Sequence, residues 1–370
     1  MSKIRFCTLY PKGSAVEFYK DTGQIPNTLG KKDEIDAMMV CCYATEKEAE
    51  EKGMTGFSYK QIPMLMNNQT IAGLVYILKN ARKVDCFNFY HGGRHCYYWT
   101  KLYKFLNPRG KVYLKMDLGY EGCEMYMKEP KELAIFEKVA KVSDVVSVES
   151  QAIKELTEKF TDYPVQVIPN GYIAINEDAL KDIEREKQFI TVGRLGTPPK
   201  ATDILLEAFA QSADDHDWKL KLVGTVDEAF KPEVDRFYQK YPHLKERVIF
   251  QGPVYERDKL YEQYRSARTF VLPSRWEGFP LVGPEALCNG CRMILSDAIP
   301  PIKELTNGLE FGKVVKAGDV ESLKQAMIEE TKREYADQEA IRIAEYSRKN
   351  LMWENICEKI YRLLFDKTGS

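Results

Sequence analysis

PSRWEGFPLVGPEALCNG, residues 273–290, follows directly on the short apolar run Thr269-Phe270-Val271-Leu272. That run has the length of a buried strand. Pro273 ends it, because proline cannot donate to a sheet ladder. Ser274 to Pro280 then form a loop around Glu277, Gly278 and Phe279. A helix is expected near Gly283, with Pro284 at its first position, where a missing N–H costs nothing. Asn289-Gly290 closes it, since both residues tolerate a left-handed cap. The expected unit is strand, glycine loop and short helix. Its N–H groups at Gly278, Phe279, Leu281 and Val282 would converge on one small, anion-favouring volume.

Glu277 and Glu285 flank that volume. Carboxylates touching a phosphate would repel it, but an acceptor-only carboxylate suits the paired hydroxyls of a sugar. A ligand with ribose, diphosphate and hexose in a row satisfies all three demands; first-turn acids favoured by the helix dipole are the plainer alternative. Pro273-Ser274, Glu277-Gly278-Phe279, Glu285-Ala286 and Gly290 together resemble the motif of the retaining glycosyltransferases of family 4. The resemblance implies an α/β chain of GT-B fold, two Rossmann-like domains with a cleft between them. It also implies that Glu277 meets the donor sugar or acceptor and Glu285 the ribose. Gly278, Phe279, Pro280 and Leu281 would then line the donor.

Working outward, Phe189-Ile190-Thr191-Val192-Gly193 reads as the first strand of a second sheet, followed by Arg194, Leu195, Gly196 and Lys200. An Arg and a Lys near a helix start suit a diphosphate, one as a planar fork and one as a point charge. The resemblance assigns both to the donor diphosphate; relatives usually have Gly where this chain has Ala201. Further strands are expected at Trp218–Val223, Val248–Phe250 and Met293–Leu295. By the same resemblance, the backbone at Val254 lies near the nucleotide base.

The first half alternates strands and helices as a parallel sheet covered on both faces would. Candidate strands are Ile4–Leu9, Ala37–Cys41, Val84–Phe89, Val112–Met116, Val145–Val148 and Val165–Ile168. Ligands bind at the carboxyl ends of such strands, and three loops stand out there. One carries Gly13, Lys20, Asp21, Gly23 and Pro26, without the paired glycines common in the family. One is His91-Gly92-Gly93-Arg94-His95; the resemblance places a histidine near the sugar, and His91 is the better candidate. The third ends in Asp117, where relatives carry a histidine-aspartate pair. Asp117 either orients an acceptor hydroxyl or caps the next helix.

Between Arg94 and Lys115 lie six cations and no acid, interleaved with aromatics. An ordinary helix burying Tyr98, Leu102 and Leu106 accounts for this; so does peripheral contact with an anionic membrane or lipid-linked acceptor. Pro169-Asn170-Gly171 marks the crossing between domains, expected at 1–170 and 171–344. The residues from Asp178 to Lys187 read as charged and exposed. A terminal helix (345–370), with Trp353, Ile356, Ile360 and Leu364 on one face, is expected to pack back on the first domain.

Composition bounds the rest. The chain has 370 residues and 44% hydrophobic content, enough for two cores. Lys and Arg total 54 against 55 Asp and Glu, which argues against nucleic acid as a partner. No apolar run reaches the ~18 residues of a spanning helix. Nine irregularly spaced cysteines argue for reduced thiols and a cytoplasmic setting, at most peripheral to the inner membrane face. Two decoys are set aside. Asp215-His216-Asp217 looks like a metal-holding acid pair but lies in a polar connector. Cys288-Asn289-Gly290-Cys291 looks like a redox or zinc pair but sits at a helix C-terminus, where the dipole disfavours thiolate.

The expected activity is retaining sugar transfer from a nucleotide diphosphate sugar, with a UDP-sugar slightly favoured, to a glycan, lipid-linked or protein-linked hydroxyl. No metal and no resident cofactor are expected. A nucleotide-sugar epimerase of the same fold and an inactive nucleotide-binding protein are the alternatives.

Overall fold

The computed structural model describes residues 3–174, 180 and 184–366. It divides into two compact units, one running to Gly171 and resuming at Met352, the other Tyr172–Leu351.

The first unit is built on seven parallel strands: β1 (Ile4–Leu9), β2 (Ile35–Cys41), β3 (Ser58–Gln61), β4 (Cys86–Tyr90), β5 (Lys111–Lys115), β6 (Val145–Val148) and β7 (Gln166–Val167). Their order is β3-β2-β1-β4-β5-β6-β7, so the sheet grows one way from β1 and then the other way from β4. β4 and β6 are buried along their whole length, as continuous apolar strands covered by helices on both faces should be. β3 escapes sequence reading because Ser58-Tyr59-Lys60-Gln61 is a polar edge strand with no apolar run.

The helix Asp21–Leu29 is buried at every residue. The helix Trp353–Phe365 covers it, burying Trp353, Ile356, Cys357, Ile360 and Leu364. Lys32 pairs with Glu358 at 2.7 Å, and the Lys111 ammonium caps the Leu364 carbonyl. The terminal segment is not one helix from 345. Asp337–Leu351 belongs to the second unit, and Met352 takes extended backbone before the last helix begins. Residues 367–370 lie outside the described residues.

The helix Arg94–Leu106 buries Cys96, Trp99, Thr100 and Tyr103. Tyr98, expected inside, is exposed, and so is Phe105. The buried stripe is displaced because Trp99 seats on Gly73, where any Cβ would strike the indole at 2.3 Å, and because its Nε1–H bonds the Thr70 carbonyl. The run of cations is not one open basic face either. Arg94 pairs with Glu132, Lys104 with Asp144, and Lys115 is wholly enclosed.

The second unit repeats the plan with β8 (Glu186–Val192), β9 (Lys219–Val223), β10 (Val248–Gly252), β11 (Ala267–Leu272), β12 (Arg292–Ser296) and β13 (Gly312–Val315), in the order β10-β9-β8-β11-β12-β13. Of the stretch 178–187, residues 178, 179 and 181–183 lie outside the described residues. Arg185, expected exposed, is buried. Its guanidinium bonds the carbonyls of Ala267 and Asn289, stapling the end of the helix Val282–Cys288 to β11. This is a cation at a helix C-terminus, where it offsets the dipole.

Candidate functional site

Strand order reverses between β8 and β11 in the second unit, and the loops after these two strands carry the quoted motifs. Such a reversal opens a crevice at the carboxyl ends of a parallel sheet. Gly224, after β9, has a φ of 140° and lies so close to Gly193 that a Cβ would stand 1.8 Å from its carbonyl oxygen. Glycine there lets the loops after β8 and β9 nest.

The loop after β8 ends in a short turn, Pro198–Lys200, and Ala201 enters the next helix with a left-handed φ of 47°. This is the position where the resemblance to family 4 leads one to expect glycine. The Lys200 stem lies over Gly193, and its ammonium meets Glu277 Oε1 at 2.5 Å. Ser274 Oγ donates to the same oxygen at 2.8 Å. The second carboxylate oxygen, Oε2, is left to accept from a hydroxyl.

Arg275, which sequence reading passed over, ties the two loops together. Its backbone N–H bonds the Pro199 carbonyl at 2.7 Å, and its guanidinium bonds the Pro198 carbonyl and Asp203. The only hint in sequence is a basic residue beside Glu277; its reach across 72 positions is tertiary information. Arg194 leaves the same loop with its side chain exposed.

Helical structure begins at Val282, one residue before the expected Gly283. Among the described residues, no acceptor takes the N–H groups of Gly278, Phe279, Leu281 or Val282, whereas Gly283 bonds Pro280 and Glu285 bonds Leu281. Gly278 has neither a left-handed φ nor a neighbour that a Cβ would meet, so nothing within the chain requires glycine there. Glu285 accepts from the Tyr264 hydroxyl at 3.3 Å. Burial pushes its carboxyl up, and Arg257 and Tyr264 draw it back. Val254, two residues past the end of β10, is half-buried beside the fully exposed Tyr255.

His91 and Asp117 lie in the first unit, after β4 and β5. Both take left-handed backbone, with φ of 65° and 49°. His91 Nε2 stands 3.4 Å from the Tyr10 hydroxyl. Asp117 is exposed and does not cap the next helix; Gly119 is the cap residue there, without a side-chain bond. Sequence reading missed the group behind it. Lys115, wholly buried, donates to Glu149 at 2.9 Å and lies 3.7 Å from Asp21.

Both decoys dissolve in the structure. Asp217 pairs with Lys187, and His216 is held by Ser212, Arg247 and the Trp218 N–H, its pKa lowered to about 4 by burial and then by Arg247. Among the described residues no three metal-ligating side chains converge. Cys288 and Cys291 are buried, and burial pushes both thiols up.

Residues 186–331 match the family model for glycosyl transferases group 1. The match lies wholly within the second unit. An uncharacterized glycosyltransferase of Haemophilus influenzae is 27% identical over 171 residues, 46% of this chain and 46% of that protein. The lipopolysaccharide core mannosyltransferase LpcC of Rhizobium leguminosarum is 30% identical over 131 residues, 35% of this chain and 36% of its own length. The matches therefore span less than half of either relative. Anabaena HepE, solved in complex with UDP, superposes with a TM-score of 0.71 at 16% identity, covering 97% of this chain and 98% of its own. At that identity the likeness establishes fold, and the fold is GT-B: two Rossmann-like units, of which the second carries the sequence similarity to glycosyl transferases group 1.

Proposed function

We propose that the protein is a retaining glycosyltransferase of family 4 that moves a sugar from a nucleotide diphosphate sugar, a UDP-sugar slightly favoured, to a hydroxyl of a glycan, lipid-linked or protein-linked acceptor. One observation carries the reading: Lys200 and Glu277, 77 positions apart, meet at the strand reversal beside four N–H groups without acceptors. Lys200, Arg194 and these N–H groups would hold the diphosphate and offset the charge that builds on it as it leaves. Glu277 would take a hydroxyl of the transferred sugar, Glu285 the ribose, and the Val254 backbone would border the base. Cations and N–H groups placed here can stabilise the leaving group without a metal. In a front-face transfer the leaving phosphate oxygen accepts the acceptor's proton, so no side chain need act as base. His91 and Asp117 are proposed on the acceptor side.

The setting proposed is cytoplasmic. Among the described residues, no helix is long and apolar enough to cross a membrane. Any peripheral membrane contact would fall to Lys101, Arg109, Tyr98 and Phe105, the exposed cations and aromatics of the basic helix region that no ion pair among the described residues takes up.

The experiment is a thermal-shift panel of UDP, GDP and ADP and their sugars. Stabilisation by at least one diphosphate is expected. Glu285→Ala should abolish it, and Asp217→Ala should leave it unchanged; the reverse pattern would remove the site assignment.

A further inference from the structure

Glu277 and Glu285 are held by the same device. One oxygen of each carboxylate is fixed by a hydroxyl, and the other is left over. Glu277 Oε1 accepts from Ser274 Oγ at 2.8 Å, and Glu285 Oε2 accepts from the Tyr264 hydroxyl at 3.3 Å. Ser274 and Tyr264 are both 0% exposed, whereas the two acids keep partial contact with solvent. Apart from Lys200, no other donor among the described residues reaches either carboxylate.

Both hydroxyls are themselves fixed from behind. Ser274 lies two residues past the end of β11, and its carbonyl accepts from the hydroxyl of Ser296, the last residue of β12 and fully buried. Tyr264 belongs to the helix Arg257–Ser266, and its ring is tilted against Phe270 of β11 at 5.9 Å. Sealed in this way, neither residue touches a ligand. What each can do is stop a carboxylate from turning. An acid aimed beforehand gives up less rotamer freedom when its ligand arrives. Lys200 cannot do this for Glu277, because the proposed donor draws its ammonium toward the diphosphate. Ser274 is then the donor that stays on Oε1.

We infer that Ser274 and Tyr264 are positioning residues of the donor site. Ser274 aims Glu277 Oε2 at a hydroxyl of the transferred sugar, and Tyr264 aims Glu285 Oε1 at the ribose. The inference rests on the transferase reading and adds a division of labour to it. The two acids read opposite ends of the donor, so the two buried hydroxyls control separate preferences.

The test titrates the full chain calorimetrically with whichever of UDP, GDP and ADP protects it best against heat. The same nucleotide is then used in its 2′-deoxy form and as its glucose, galactose and mannose conjugates. The wild type should prefer ribose to deoxyribose, and the tightest of the conjugates to the plain diphosphate. Ser274→Ala should weaken that conjugate about tenfold, the order of one charge-assisted hydrogen bond, and leave the ribose preference intact. Tyr264→Phe should do the reverse. The ribose preference should fall several-fold, less than tenfold because the bond is longer, and the gain from the hexose should not change. Damage to the fold would lower both preferences together. If Ser274→Ala does not fold, Ser274→Cys, close in size and a weak donor, takes its place. Both preferences falling together in either variant, neither preference changing, or a wild type that binds the diphosphate but is indifferent to ribose and hexose would overturn the inference. A wild type that binds no diphosphate would instead sink the donor reading, and the inference with it.

Discussion

The two strand reversals of this chain share one topology and differ in where the lysine goes. In the second unit Lys200 comes from a loop and meets Glu277 with both side chains partly exposed, at 18% and 14%. In the first unit Lys115 comes from within a strand and is sealed beside Glu149, at 0% and 2%. The same Rossmann-like crevice therefore carries a partly exposed ammonium in one case and a sealed one in the other. Sheet topology provides the crevice; the depth at which one ammonium is buried sets the charge it shows to a ligand.

The comparison breaks most sharply on stability. Lys115→Met strands the Glu149 carboxylate in the core, and loss of one partner of a buried pair costs about 3–5 kcal/mol. Lys200→Met should cost less than that, because its pair with Glu277 keeps some contact with solvent. Urea denaturation of the two variants measures the difference, and similar losses would show that burial does not separate the two lysines.

Function should rank them the other way. Lys200→Ala removes a charged hydrogen bond of roughly 1.5–3 kcal/mol, so donor use should fall about tenfold to a hundredfold. Turnover should fall together with affinity if the lysine also steadies the departing diphosphate. Steady-state kinetics with a UDP-sugar reads both.

The acidity of the first unit makes it sensitive to pH. Burial first, and then Asp117 and Glu149, raise the Asp21 pKa, against the pull of Lys115 and the Thr22 N–H. Glu149 is raised as well, by burial and Asp117. Folded chains thus hold protons that unfolded chains have released. Stability should fall as pH climbs above the ordinary carboxylate range toward the raised values. Asp21→Asn should flatten that fall in a series of melting curves; an unchanged slope would mean Asp21 stays ionised throughout.

The smallest effect concerns Arg275. Its pair with Asp203 is partly exposed, so Arg275→Ala should change stability by less than about 1 kcal/mol. Nucleotide binding should still weaken a few-fold, because the turn bearing Lys200 loses its tie to the Glu277 loop. Isothermal titration with UDP distinguishes this from a residue that only decorates the surface.

Much of this architecture is legible in residues alone. Parallel strands buried on both faces must be short apolar runs, and those runs mark all but the polar edge strand β3 and the last strand, Gly312–Val315, where two of four residues are buried. The motif at 273–290 is legible because its parts are local: proline, glycine and acid positions within eighteen residues have direct backbone meanings. In the helix Arg94–Leu106, Leu102 and Leu106 pack against the core as expected and only Tyr98 gives way to Trp99, because Gly73 offers the indole a seat that helical periodicity cannot reveal.

By itself, then, the sequence determined two α/β units, the glycine loop and short helix of the second, and the residue types on which the proposed donor site rests. Only the tertiary structure decided that Arg275 braces that loop, that Arg185 closes its helix, and that Lys115 is spent inside the first unit between Glu149 and Asp21. The reason is physical. Backbone conformation follows from neighbours in the chain, whereas burial and ion pairing depend on residues tens to hundreds of positions away.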